Sequence, residues 1–170
     1  MKRTMVLWTL VSLSMLASSV QATMIGLSTE KLTRDSRLIV MGKVQEVRSH
    51  WDETGQKIES TARVQVERFL KGDPLARVLQ VVYDGGEVGE IGMKVSDVSP
   101  LERGEEVILF LKQGARPGTV YRMVGKGQGK YRLENGIARK SGFSIVGDPQ
   151  EIDNNIPVSD LIEKIQKADR

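Results

Sequence analysis

From Asp84 to Val95 the chain reads Asp-Gly-Gly-Glu-Val-Gly-Glu-Ile-Gly-Met-Lys-Val, with glycines at 85, 86, 89 and 92 set among carboxylates at 84, 87 and 90. Carboxylates supply hard oxygen ligands for a calcium ion, yet Asp84, Glu87 and Glu90 lack the dense Asp/Asn pattern of calcium loops. A glycine-rich backbone cradles phosphate, but no Gly-Lys-Ser/Thr follows, and no predicted helix begins there to offer its N-terminus. Two readings remain. The glycines serve tight backbone packing in a bulge or irregular strand, or the segment is a binding loop for a protein or peptide, as long loops between core strands often are. The expected contact residues are Gly85, Gly86, Glu87, Glu90 and Met93, together with Trp51.

Catalysis has little to draw on. His50 is the only histidine, so a triad or a histidine-rich zinc site has at most one imidazole. The absence of cysteine removes thiol nucleophiles, thiolate metal sites and redox motifs. No Ser-x-x-Lys or Gly-x-Ser-x-Gly arrangement stands out. No residue is nominated as catalytic, and neither a metal nor a cofactor is expected. The rival reading is an exported hydrolase or a small-ligand or carbohydrate binder using residues 84–96, in which Asp84, Glu87, Lys94 or Ser96 would converge on a polar pocket. Trp51, Tyr83, Tyr121 and Tyr131 are candidates for stacking on a ligand or for packing in the core.

The elements around this loop are short. Ser28 to Ser36 predicts a helix with Leu32 inward and Ser28 or Thr29 as N-cap. Leu38 to Val47 is a first strand, apolar enough at its start to be buried on both faces. After a turn at Asp52–Gly55, residues 58–69 alternate, with Ala62, Val64 and Val66 on one face and Arg63, Gln65 and Glu67 on the other. Leu70-Lys71-Gly72-Asp73-Pro74 breaks this strand. Further strands are predicted at Val78–Tyr83, Val107–Leu111 and Val120–Val124. Asn135-Gly136 between two short alternating runs predicts a hairpin, with Phe143 and Ile145 extending it or leading out. From Pro157 the period becomes helical, with Ser159 as N-cap and Leu161, Ile162 and Ile165 as the buried stripe. The sum is a mainly β protein, an OB-like antiparallel barrel with a short N-terminal helix and a C-terminal helix.

Lys2 and Arg3, the apolar run Met5 to Ala17 and the small-residue site Val20-Gln21-Ala22 form the three parts of a secretory signal. The run is too short and too broken to span a bilayer. Residues 1–22 are therefore expected to be removed, leaving residues 23–170 as one domain in a secreted or periplasmic location. Lys2 and Arg3 account for most of the formal net charge of +3, so the remainder is nearly neutral and has no basic excess for nucleic acid. Without disulfides, the exported fold must rest on its apolar core.

The stretches LIVMGKVQEV at 38–47, VERFLKGDP at 66–74 and GGEVGEIGMKVSDVSPLERGEEVILFLK at 85–112 resemble a group of exported bacterial proteins of unknown function. The resemblance spans about Thr29 to Arg132. Their barrels are similar to the OB-fold and to netrin-like modules, including the N-terminal domain of tissue inhibitors of metalloproteinases. The resemblance implies a barrel that binds an extracytoplasmic protein or peptide, and by architecture alone a secreted metalloprotease. Those inhibitors chelate the protease zinc through an N-terminal cysteine, whereas the expected start here is Thr23 and the chain has no cysteine. That mechanism does not carry over.

Overall fold

Two segments are apolar at every position, Leu38 to Met41 and Val107 to Leu111, and each becomes part of a strand covered on both faces. A computed structural model describes residues 24–73, 76–114, 120–142, 145–146 and 152–170. The expected leader, Thr23, Pro74 and Phe143 lie outside the described residues.

In chain order the elements are β1 (Met24–Ile25), α1 (Thr29–Asp35), β2 (Leu38–Trp51), β3 (Ile58–Lys71), β4 (Val78–Asp84), β5 (Gly86–Val88), β6 (Ile91–Met93), β7 (Glu106–Gln113) and β8 (Val120–Met123). A 3-10 turn (Lys126–Gly129) follows, then β9 (Lys130–Glu134), β10 (Ile137–Arg139), β11 (Ile145–Val146), β12 (Ile156–Pro157) and α2 (Val158–Ala168). The order of pairing is β7-β2-β3-β4-β8, and β8 returns to β7, so five strands close into a barrel of OB-like topology. Four of the contacts are antiparallel and one, β4 with β8, is parallel. An odd ring cannot alternate direction all the way round, so one parallel seam is obligatory.

Strand alternation divides the apolar residues between two clusters. Leu38, Val40 and Val44 of β2, Val64 and Val66 of β3, Leu79 and Val81 of β4 and Val107, Leu109 and Leu111 of β7 point inward and fill the barrel. Ile39, Ile108 and Phe110 point outward from β2 and β7 and are covered by Leu32 of α1, Leu161 and Ile165 of α2, and Tyr131 and Ala138. The 14-residue strands β2 and β3 coil around the barrel through three breaks in register. At one of them a Cβ on Gly42 would sit 2.2 Å from the Gln65 carbonyl oxygen, so only glycine permits the strands to approach.

The caps and turns follow local chemistry, with three corrections. Ser28 caps α1 as expected, its Oγ accepting from the Lys31 N–H at 3.2 Å. Asn135 and Gly136 both take positive φ, as a primed two-residue turn requires, and join β9 to β10. Ser159 does not cap α2, because Pro157 occupies that position. β12 pairs with β10 right up to the helix, the Val158 N–H donates to the Gly136 carbonyl at 2.9 Å, and the Ser159 hydroxyl turns to Asp160 Oδ1. Ile145 does not extend the β9–β10 hairpin, for β11 pairs in parallel with β1. Residues 86–93 are not an irregular loop but a two-stranded hairpin, β5–β6, turned at Gly89-Glu90.

One buried charge lies against the Tyr131 ring. Lys140 Nζ is buried without a hydrogen-bond partner and sits 4.6 Å from the centroid of the Tyr131 ring. Burial pulls its pKa from 10.5 down to about 8, with Asp153 opposing in part. Below about pH 8 the amine is charged both folded and unfolded, and folding bears the full cost of burying it. Between about 8 and 10.5 the unfolded chain binds more protons than the folded one, so this contribution to stability rises with pH. Lys140→Met is therefore expected to stabilise the fold at pH 7 by on the order of 2 kcal/mol, with the gain vanishing near pH 10.5. Urea unfolding of both proteins across pH 7 to 10.5 checks this, and a difference independent of pH would refute it.

Candidate functional site

Gly85 (φ +100°) and Gly86 (φ +135°) turn the chain out of β4 in conformations that side chains rarely adopt. A Cβ on Gly86 would lie 2.3 Å from both Ser49 Oγ and Ser60 Oγ. These two hydroxyls are 2.8 Å apart. Ser60 Oγ donates to the Gly85 carbonyl at 2.6 Å, and the Glu87 N–H donates to Ser49 Oγ at 3.3 Å. The direction of the chain is fixed at its ends, because a carbonyl only accepts and an N–H only donates. Ser49 therefore gives its proton to Ser60. Two serines thus latch the base of the hairpin to the barrel strands β2 and β3.

Between this hairpin and the segment 94–102 lies an open cleft of about 870 Å³. Its apolar lining comes from Val47, Tyr83, Met93, Val95, Val98 and Leu101, and its polar lining includes Ser49, Ser60, Asp84, Glu87, Lys94 and Glu102. The floor is firm. Val98 and Leu101 belong to the barrel core. The Tyr83 hydroxyl donates to the Leu101 carbonyl at 3.2 Å and accepts from its N–H at 3.3 Å. Burial raises the Tyr83 phenol above its ordinary pKa, against the lowering effect of the Leu101 N–H that donates to it. Further along, Lys130 Nζ of β9 meets Glu105 Oε1 at 2.7 Å with both side chains buried. Glu105 Oε2 accepts from the Glu102 N–H at 3.0 Å, and Lys130 also donates to the Pro100 carbonyl. The segment that closes this end of the barrel is thus tied down by core side chains and by a buried ion pair.

Of the residues expected at the site, the cleft brings together Gly85, Gly86, Glu87 and Met93. Glu90 stands exposed at the hairpin turn, and Trp51, 40% exposed at the end of β2, lies outside the lining. Asp84 lines the cleft but is engaged by Arg122 Nη1 at 3.3 Å, and Arg122 also holds Glu59. Burial works against the Arg122 charge, yet Glu59 and Asp84 outweigh it and raise the pKa. Among the described residues, no three acidic or histidine side chains gather to hold a metal, so Asp84, Glu87 and Glu90 do not converge as a calcium site would need. His50 is exposed and Ser96 is outside the cleft. Tyr83, Tyr121 and Tyr131 are buried, which leaves Trp51 as the exposed member of the expected stacking set.

Sequence reasoning missed Ser49, Ser60 and the Lys130–Glu105 pair. One signal was present, for Ser60 falls on the same face of β3 as Ala62, Val64 and Val66 and is a polar residue in an apolar row. The pairing of Lys130 with Glu105 joins residues 25 positions apart and leaves no local trace. Among the described residues, the hydrogen bonds of the Ser49 and Ser60 hydroxyls go to each other, to the Gly85 carbonyl and to the Glu87 N–H, and none goes to a carboxylate or imidazole. No family model matches the chain, and no curated protein matches its sequence.

Glu105→Ala leaves the Lys130 ammonium buried without its carboxylate, and is expected to cost about 3–5 kcal/mol. Replacing both residues with apolar ones of similar size (Glu105→Leu with Lys130→Met) should recover most of that loss. Chemical denaturation of the single and double variants checks it. Losses that simply add would show that the two charges do not interact.

Proposed function

We propose that this protein is an exported, non-enzymatic module that holds a protein or peptide partner outside the cytoplasm, in the cleft between the β5–β6 hairpin and residues 94–102. The observation that carries this reading is the cleft itself. It couples a firm apolar floor to a few polar groups, and its two serine hydroxyls are hydrogen-bonded to each other and to the hairpin backbone. The leader-like start supports export. The resemblance to exported barrel proteins favours a binding role over a catalytic one, though fold analogy alone establishes no function.

A second reading, a small-ligand or carbohydrate binder or a hydrolase centred on residues 84–96, draws on the cleft volume of about 870 Å³, which falls in the usual range for small-molecule sites. It fits less well. Asp84 is held by Arg122, and Ser96 does not line the cleft.

A photo-crosslinking residue at Met93 is expected to trap the partner in the compartment where the protein resides, while the same residue at the exposed Lys167 of α2 traps none. Replacing Glu87 and Glu90 with Ala, both exposed, should move the melting temperature by no more than about 2 °C. It should also weaken the capture at Met93 several-fold. Equal crosslinking from Met93 and Lys167 would argue against the cleft, and a large fall in melting temperature would make the hairpin acids structural.

A further inference from the structure

The hairpin over the cleft has one backbone edge with nothing on it. Val88 and Ile91 flank the two-residue turn and form the pair that shares both ladder hydrogen bonds. The next pair, Glu87 with Gly92, must then point its N–H and C=O groups away from the hairpin. On the β5 side this is what happens, for the Glu87 N–H reaches outward to Ser49 Oγ. On the β6 side no bond joins the Gly92 N–H or carbonyl to another strand, loop or side chain among the described residues. Gly92 is exposed, lines the cleft and carries no side chain to hold another backbone away.

The cleft also has a sign. Glu87 is exposed and unpaired, Glu90 stands at the hairpin tip, and Glu102 is 69% exposed beyond its 3.6 Å pair with Arg132. Lys94 is the cation facing them in the lining, since Arg122 is already engaged with Asp84 and Glu59.

We infer that the cleft captures its partner by strand addition to β6 at Gly92, and that the partner is an extended peptide in which aliphatic and basic residues alternate. This rests on the cleft being the binding site proposed above. The Gly92 backbone supplies two hydrogen bonds to the incoming strand, which fix its register. Side chains on one face of that strand enter the apolar floor formed by Val47, Met93, Val95, Val98 and Leu101. Those on the other face meet Glu87, Glu90 and Glu102 at the rim. The two faces of a strand differ every second residue, so recognition reads a period of two.

The test uses the purified protein and fluorescein-labelled hexapeptides, one of alternating valine and lysine and one of alternating valine and glutamate, followed by fluorescence anisotropy. The valine–lysine peptide should bind at least about ten-fold more tightly than the valine–glutamate peptide, with the preference reduced in 0.5 M salt. Gly92→Pro removes only an outward N–H, leaves the β5–β6 ladder intact, and should weaken binding about ten-fold with little change in melting temperature. Should that variant fold poorly, methylating alternate backbone nitrogens of the peptide removes the same bonds from the other side and should weaken binding equally. Binding untouched by both changes overturns strand addition and leaves the cleft standing. Equal binding of the two peptides overturns the charge selection. Binding of neither peptide overturns the whole inference, while crosslinking from Met93 still judges the cleft on its own.

Discussion

The fold depends on burying β2 and β7 on both faces at once. Each strand sends alternate apolar side chains into the barrel and outward under the helices, so Leu38 and Val40 lie in one cluster and Ile39 in the other, with Leu109 and Phe110 divided the same way. A strand buried on one side only would release either the barrel interior or the helical layer. Because both clusters share this pair of strands, α1, α2 and the barrel are held in register without a disulfide, and a chain without cysteine has no covalent cross-link to fall back on.

That arrangement decides where a site can form. The helices cover the outer face of β2 and β7, while segment 94–105 closes the end of the barrel where β4 finishes and β7 begins. The closure is firm, because Val98 and Leu101 are core residues and Glu105 is paired with Lys130 out of reach of solvent. The hairpin beside it is different in kind, for no residue from Gly86 to Met93 is buried. Its attachment rests on the two glycines at its base and on the Ser49–Ser60 latch. A buried, ion-paired floor and an unburied hairpin held by a few hydrogen bonds thus stand next to each other at the mouth of the cleft.

The barrel class and its main strands were legible because their signal is periodic and strong. The run Val107 to Leu111 reads as doubly buried from its composition, and the alternation at 62–67 reads as a half-exposed strand. The β9–β10 turn was legible from two residues, Asn135 and Gly136, because few other pairs tolerate both backbone angles. The β5–β6 hairpin was not. Its strands are three residues each with none buried, so no apolar alternation marks them, and its glycines read as a bulge or irregular strand or as a binding loop. The expected cap at Ser159 failed for another reason. A serine two residues after a proline looks like an N-cap only while β12, which satisfies the first amide of the helix from Gly136, is invisible.

The candidate site shows the same division between local and distant causes. Gly85, Gly86, Glu87 and Met93 were found because they crowd one stretch of chain, and the structure keeps them together. Glu90 and Trp51 do not belong to the lining, since the hairpin turn carries Glu90 outward and Trp51 lies past Ser49 at the end of β2. What turns the stretch into a defined cleft comes from elsewhere. Ser49 and Ser60 lie on barrel strands, and the floor is pinned by a lysine on β9. The serines also limit the chemistry. A hydroxyl that must donate to a carbonyl, and a second that must donate to the first, have no proton free for a base and no lone pair aimed at a substrate without first releasing the hairpin. The hydrogen bonds that shape the cleft are therefore the ones that would have to break before either serine could act as a nucleophile.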